Sequence, residues 1–201
     1  MKGVFGILLG AVLLAGTITA WGQGTLVVDQ QTGQSLAGVG VVIQTNTPVG
    51  QSFTPSLSSV GYVALMLADN TPDTGSATVY VNVRSGSITG TVLGTTTSVS
   101  LPAAAGGYQM VDFYFPITIS LSPGTTYYFD VNQSSGTPWL VNIYGYEYAG
   151  GTAFLKGAAL TQDDLWFQDG VVVPEPSVAW LVLVGGGIFF SARRWPKSPE
   201  S

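Results

Sequence analysis

Tyr144, Tyr146 and Tyr148 alternate along one short stretch, with Trp139 just upstream beside Pro138. In an extended strand alternate positions share a face, so three rings at this spacing would form a flat platform. Sugar rings stack on such a platform, and phenol hydroxyls add hydrogen bonds. Trp139, Tyr144, Tyr146 and Tyr148 are therefore the candidate glycan-binding residues. Val141 and Ile143 lie on the opposite face and suit a core, although Gly145 and Glu147 break that pattern. Asp163, Asp164 and Asp169 cluster near a loop-rich end. Oxygen-only ligands in irregular geometry suit Ca²⁺, so these three are the candidate metal ligands and calcium is the one cofactor the residues raise. Their spacing matches no EF-hand loop, and acidic residues at solvated turns look the same. Glu147 with an aspartate could form the pair of acids, about 5–10 Å apart, that glycoside hydrolysis needs. No sequence feature marks any of these acids as buried, and the expectation is a protein with no catalytic residue.

What the chain lacks narrows the chemistry further. Its 201 residues include no cysteine and no histidine, which removes Ser-His-Asp and Cys-His catalysis and the usual zinc sites. Between residues 23 and 172 only Arg84 and Lys156 are basic, against nine acidic residues, a net charge of −7. Nucleic acid and anionic lipid surfaces are poor partners for that charge. Without disulfides, an exported fold must rest on core packing and sheet pairing alone.

Strands are the elements that must position these residues. Ala77 to Arg84 alternates apolar and polar with period two, and so does Tyr127 to Asn132. Val41 to Ile43, Val60 to Leu67, Val111 to Phe115, Ile117 to Leu121 and Leu140 to Tyr148 are further β-rich runs. Turn signals separate them at Asn70–Asp73, Arg84–Gly86, Ala105–Gly107, Ser122–Gly124 and Ser134–Gly136. No stretch carries a capped 3.6-residue stripe, and no fixed-period repeat is present. Many short antiparallel strands predict an all-β domain, a β-sandwich or jelly roll, over residues 23–172.

The two ends read differently. Met1-Lys2, the apolar run Val4 to Ala15, and the small, polar exit Thr17 to Gly22 have the order of a secretory signal peptide over residues 1–22. At the other end, Val173-Pro174-Glu175-Pro176-Ser177 precedes an apolar run from Val178 to Ala192, then Arg193-Arg194. As a helix that run rises about 22 Å, short of a hydrocarbon core of about 30 Å unless Ser177 and snorkelling arginines extend it. Arg193, Arg194 and Lys197 would then lie on the cytoplasmic side. In this order, residues 173–201 resemble a PEP-CTERM sorting signal with a single hydrophobic, membrane-spanning helix. The resemblance rests on Pro174, Glu175, Pro176, Arg193 and Arg194. It implies an exosortase-type membrane protease as partner, an inner-membrane intermediate, removal of the tail, and delivery to the cell surface or extracellular matrix of a Gram-negative bacterium. The segment after the arginines, Trp195 to Ser201, is longer than such signals usually carry.

A second, looser resemblance runs from about Gln44 to Val172. The order of Gln51–Pro55, Val111–Phe115, Ile119–Phe129, Tyr148–Phe154 and Asp163–Phe167 is similar to a jelly-roll domain of exported bacterial surface proteins, whose relatives resemble carbohydrate-binding modules in architecture. Three classes of function follow. The first expectation is a non-enzymatic, monomeric matrix or surface component. The alternatives are a module that binds extracellular polysaccharide through the tyrosine face, and a carboxylate-based glycan-degrading enzyme.

Overall fold

A computed structural model describes residues 24–33, 38–71, 75–104, 106–145 and 147–174. Residues 24–173 form one compact unit; residues 1–23 and 174–201 fall outside it. The two terminal signals expected from the sequence thus lie outside the described residues, apart from Pro174, which is exposed.

The described residues form strands and no helix. In chain order they are β1 (Thr25–Gln31), β2 (Val39–Val42), β3 (Val49–Phe53), β4 (Ser59–Asp69), β5 (Ala77–Ser85), β6 (Thr91–Thr95) and β7 (Val99–Leu101). There follow β8 (Gln109–Ser120), β9 (Tyr127–Gly136), β10 (Trp139–Gly145), β11 (Ala153–Leu155), β12 (Ala158–Leu160), β13 (Asp163–Leu165) and β14 (Phe167–Val173). They make two antiparallel sheets, and the protein is an all-β sandwich. The first sheet runs β1-β14-β4-β10-β13, with β8 on β4 and β2 on β10. The second runs β12-β11-β3-β9-β5-β6, with β7 on β5.

Alternation decides what faces inward. Val79, Val81 and Val83 of β5 are fully buried, as are Phe129 and Val131 of β9 and Val49 and Phe53 of β3. From the first sheet, Val63, Leu65 and Leu67 of β4, Phe113 of β8, Trp139 and Val141 of β10, and Phe167 of β14 meet them in one core. Phe129 and Phe167 join the sheets directly, with ring centroids 5.3 Å apart at 58°. Phe53 packs on Phe129 at 6.1 Å. Between β8 and β9 the turn Ser122-Pro123-Gly124-Thr125 closes with a hydrogen bond from Thr125 N to Ser122 O of 3.1 Å. Gly124 has φ +76°, the left-handed value that the third position of a type II turn requires.

The polar residues of β5 and β9 face out from the second sheet and hold it together. Arg84 Nε donates to Asp130 Oδ1 at 2.6 Å. Asn82 and Asn132 donate to Asp130 Oδ2 at 3.3 and 2.6 Å, and Thr95 Oγ1 donates to Asn82 Oδ1 at 2.7 Å. Arg84 Nη1 also reaches Gly90 O at 2.8 Å, fixing the turn between β5 and β6. One ion pair therefore ties β5, β6 and β9 together with its remaining lone pairs occupied.

The first sheet has two irregularities that matter for position. Where β10 parts from β4, β13 pairs with β10, and the chain reverses at Trp166 so that Phe167 pairs with Leu65 of β4. At the domain's start, β1 places both Asp29 and Gln30 opposite Asp169, a bulge between the pairs Val28↔Gly170 and Gln31↔Gln168.

Truncating Phe129, which contacts both Phe53 and Phe167, should cost about 3–5 kcal/mol of unfolding free energy. Chemical denaturation of Phe129→Ala reads this directly. A loss below about 1 kcal/mol would mean that the sheets do not depend on this contact.

Candidate functional site

The residues with the strongest sequence claim to ligand chemistry are divided by the structure. Trp139 is fully buried in the core, because it shares parity with Val141 and Ile143 on β10. Tyr144 is half-buried on the other face and pairs with Asp164. Tyr146 lies outside the described residues. Tyr148 stands beyond the end of β10 at Gly145, so period two no longer governs it, and it turns into the core. Its ring meets Phe167 edge-on at 5.2 Å and 87°. Its hydroxyl donates to Gln30 Oε1 and accepts from Thr54 N, both at 3.0 Å. Burial pushes the phenol up to about 12; the Thr54 hydrogen bond opposes this, and the charges of Asp169, Asp29 and Asp164 add to it. Trp139 and Tyr148 thus fill the interior instead of extending an open platform with Tyr144.

The aspartates are also kept in separate settings. Asp164 is buried and accepts three hydrogen bonds: from Gln51 Nε2 at 2.7 Å, and from the backbone N–H groups of Glu147 and Tyr148 at 2.8 Å each. Gln51 Oε1 in turn accepts from Leu165 N at 2.9 Å, so this pair fastens β3 of one sheet to β13 of the other. Asp163 is half-buried at the start of β13. Asp169 lies behind the β1 bulge, where Oδ1 accepts from Gln30 N at 3.0 Å and Oδ2 is buried without a partner. Among the described residues no three acidic side chains are grouped as ligands for an ion. Glu147, the proposed half of a catalytic pair, is exposed, and only its backbone reaches Asp164.

Sequence reasoning missed Asp29, Gln30 and Gln51. Asp29 receives the backbone N–H groups of Ser56 and Leu57 at 3.0 Å, and the Ser56 hydroxyl as well. It thereby pins the connection between β3 and β4 to β1. Each of these contacts joins residues far apart in the chain, and no local pattern announces them. One open groove of about 500 Å³ lies between the edge strands β6 and β8, lined by Leu93, Gly94, Phe115, Pro116, Ile117 and Ile119 among others. No ionisable side chain lines it.

No known family model, characterised protein or solved structure matches the chain.

Asp169 supplies a pH test. Burial raises its carboxyl to about 8; the Gln30 hydrogen bond opposes the rise and Asp29 adds to it. In the unfolded chain an aspartate ionises near 3.9. Between these values the unfolded state sheds a proton that the folded state keeps, so stability falls as pH rises from about 4 to about 8 and then levels. Asp169→Asn keeps the acceptor for Gln30 and removes the ionisation. It should raise the melting midpoint at pH 8 by an amount on the order of 4–8 °C, corresponding to about 2 kcal/mol, with the gain shrinking towards pH 4. A gain that is the same at both pH values would show that ionisation of Asp169 is not its source.

Proposed function

We propose that this is an exported β-sandwich carried to the cell surface or extracellular matrix by its C-terminal sorting signal, serving there as a non-enzymatic structural component. The observation that carries the reading is the order of parts at the end of the chain. The last strand ends at Val173; Pro174-Glu175-Pro176-Ser177 follows at once, then fifteen apolar or small residues and Arg193-Arg194. Within this reading the apolar run crosses the inner membrane, an exosortase-type protease removes it near Pro174–Pro176, and a signal peptidase removes residues 1–22. The sandwich itself is a jelly roll of the kind common in exported surface proteins.

The strand pairing supports the reading on physical grounds. Thr25 pairs with Val173, so the two ends of the domain lie side by side and both processing points fall outside the ladder. Removing both terminal segments takes away no strand and breaks no core contact among the described residues. The outward positions of β5 and β9 carry the polar residues Thr78, Asn82, Arg84, Asp130 and Asn132, of which the last four are joined to one another within the sheet through the Asp130 carboxylate. The role asks for no active site and no bound ion.

Replacing Pro174, Glu175 and Pro176 with alanine should leave the protein in the inner membrane at its uncut mass, while the unaltered protein is recovered from the surface with its tail removed. Cell fractionation with mass spectrometry distinguishes the two. Should the altered protein reach the surface at the processed mass, the sorting reading fails.

A further inference from the structure

At the edge where β1 lies along β14, a run of apolar side chains meets water beside the point where the chain leaves the last strand. Leu26, Val27, Val28, Val172 and Val173 are 38 to 47 % exposed. The pairs Leu26↔Val172 and Val27↔Val171 gather them into one corner. β1 has a neighbour on one side only, so both of its faces approach water and alternation cannot hide three consecutive apolar residues. Residues 24–28 and 170–174 include no ionisable side chain. Among the described residues, the acids that flank these two strand segments are engaged elsewhere: Asp29 on the backbone of Ser56 and Leu57, and Asp169 in the interior behind Gln30.

Chain length decides what can cover this corner. Beyond Val173 only Pro174, Glu175, Pro176 and Ser177 precede the apolar run. Four residues reach at most about 14 Å, and the prolines favour a stiff spacer of about 3.1 Å per residue. The polar layer on one side of a bilayer is itself roughly 5–8 Å deep. If the apolar run occupies the hydrocarbon, the domain cannot withdraw its β14 end far from the headgroups. The domain's net negative charge repels it from an anionic leaflet, and the corner beside the tether brings no ionisable side chain of residues 24–28 or 170–174 to add to that repulsion.

We infer that, until the tail is cut, the β1–β14 corner is seated on the lipid surface, with Val27, Val28, Val172 and Val173 in the headgroup layer. This rests on the reading of residues 178–192 as a membrane span. The corner is too small to hold the domain on a bilayer by itself; the tether raises its effective concentration at the surface and so makes a weak contact persistent. Seating fixes Pro174-Glu175-Pro176 at the depth where a membrane-embedded protease works. Cutting there ends the tether and frees the domain in the same step.

The chain has no cysteine, so single substitutions can carry an environment-sensitive fluorophore. Full-length Val27→Cys and Ser134→Cys are labelled and reconstituted into phosphatidylethanolamine–phosphatidylglycerol vesicles, some containing spin-labelled lipid. The label at 27 should shift to the blue and be quenched several-fold more than the label at 134, which sits on the exposed end of β9. Adding Val172→Lys and Val173→Lys to the Val27→Cys chain should return its emission to that of water, with a circular dichroism melt confirming that the fold is kept. Protection of Arg193 and Arg194 from added trypsin reports separately that the tail is inserted. A protected tail with an unquenched label at 27 overturns the seating and leaves the span reading intact. A tail cut by trypsin removes the span reading and the seating with it.

Discussion

Closure of this sandwich depends on its first strand lying along its last. Gln30 and Asp169, joined by a backbone-to-carboxyl hydrogen bond, are 139 positions apart. Bringing such distant segments together costs loop-closure entropy, and a chain without cysteine has no covalent means of lowering that cost. The ladder from Thr25 to Gln31 does part of the work. The rest comes from Thr32, whose N–H and hydroxyl both donate to Phe167 O while its hydroxyl accepts from Phe167 N at 2.9 Å. Phe167 is also the residue whose ring meets Phe129 and Tyr148, so the closing strand and the core are stabilised through the same side chain.

Burying acids is the second constraint, and the fold meets it in three ways. Asp130 is matched by Arg84 and two amides on an outward face. Asp164 takes three neutral donors, two of them consecutive backbone N–H groups. Asp169 has a single donor and instead keeps its proton. The order follows from available partners. A buried carboxylate is tolerable when donors fill its lone pairs, and where they do not, the neutral acid is the cheaper form. Asp169 is thus a weak point held at the bulge that closure requires.

The all-β class was legible because β5 and β9 alternate without a break: their odd-numbered valines and phenylalanines enter the core and their even-numbered polar residues point out. Trp139 was legible too, since its parity matches Val141 and Ile143, yet its proximity to the tyrosines suggested a platform. Tyr148 could not be placed by parity, because β10 ends at Gly145 and the backbone turns before reaching it. The bond between Gln51 and Asp164 escaped for another reason: the two are 113 positions apart, and it exists only once both sheets are stacked. The apolar corner did leave a trace in the sequence. Leu26-Val27-Val28 and Val171-Val172-Val173 fail to alternate, which is how a strand reads when neither face is cleanly inside or outside.

Those unalternating runs bear on how the domain ends. Val173 is the last residue of β14, paired with Thr25, and the next residue is proline. Proline has no N–H to give to a ladder, so Pro174 stops strand pairing where it stands. A bond inside the β1–β14 ladder could be cut only after local unfolding. Pro174 thus stands where the ladder that holds the sandwich closed comes to its end. On the sorting reading proposed above, Pro174 would be both the start of the signal and the end of strand pairing, so a cut beyond it would leave the β1–β14 ladder whole.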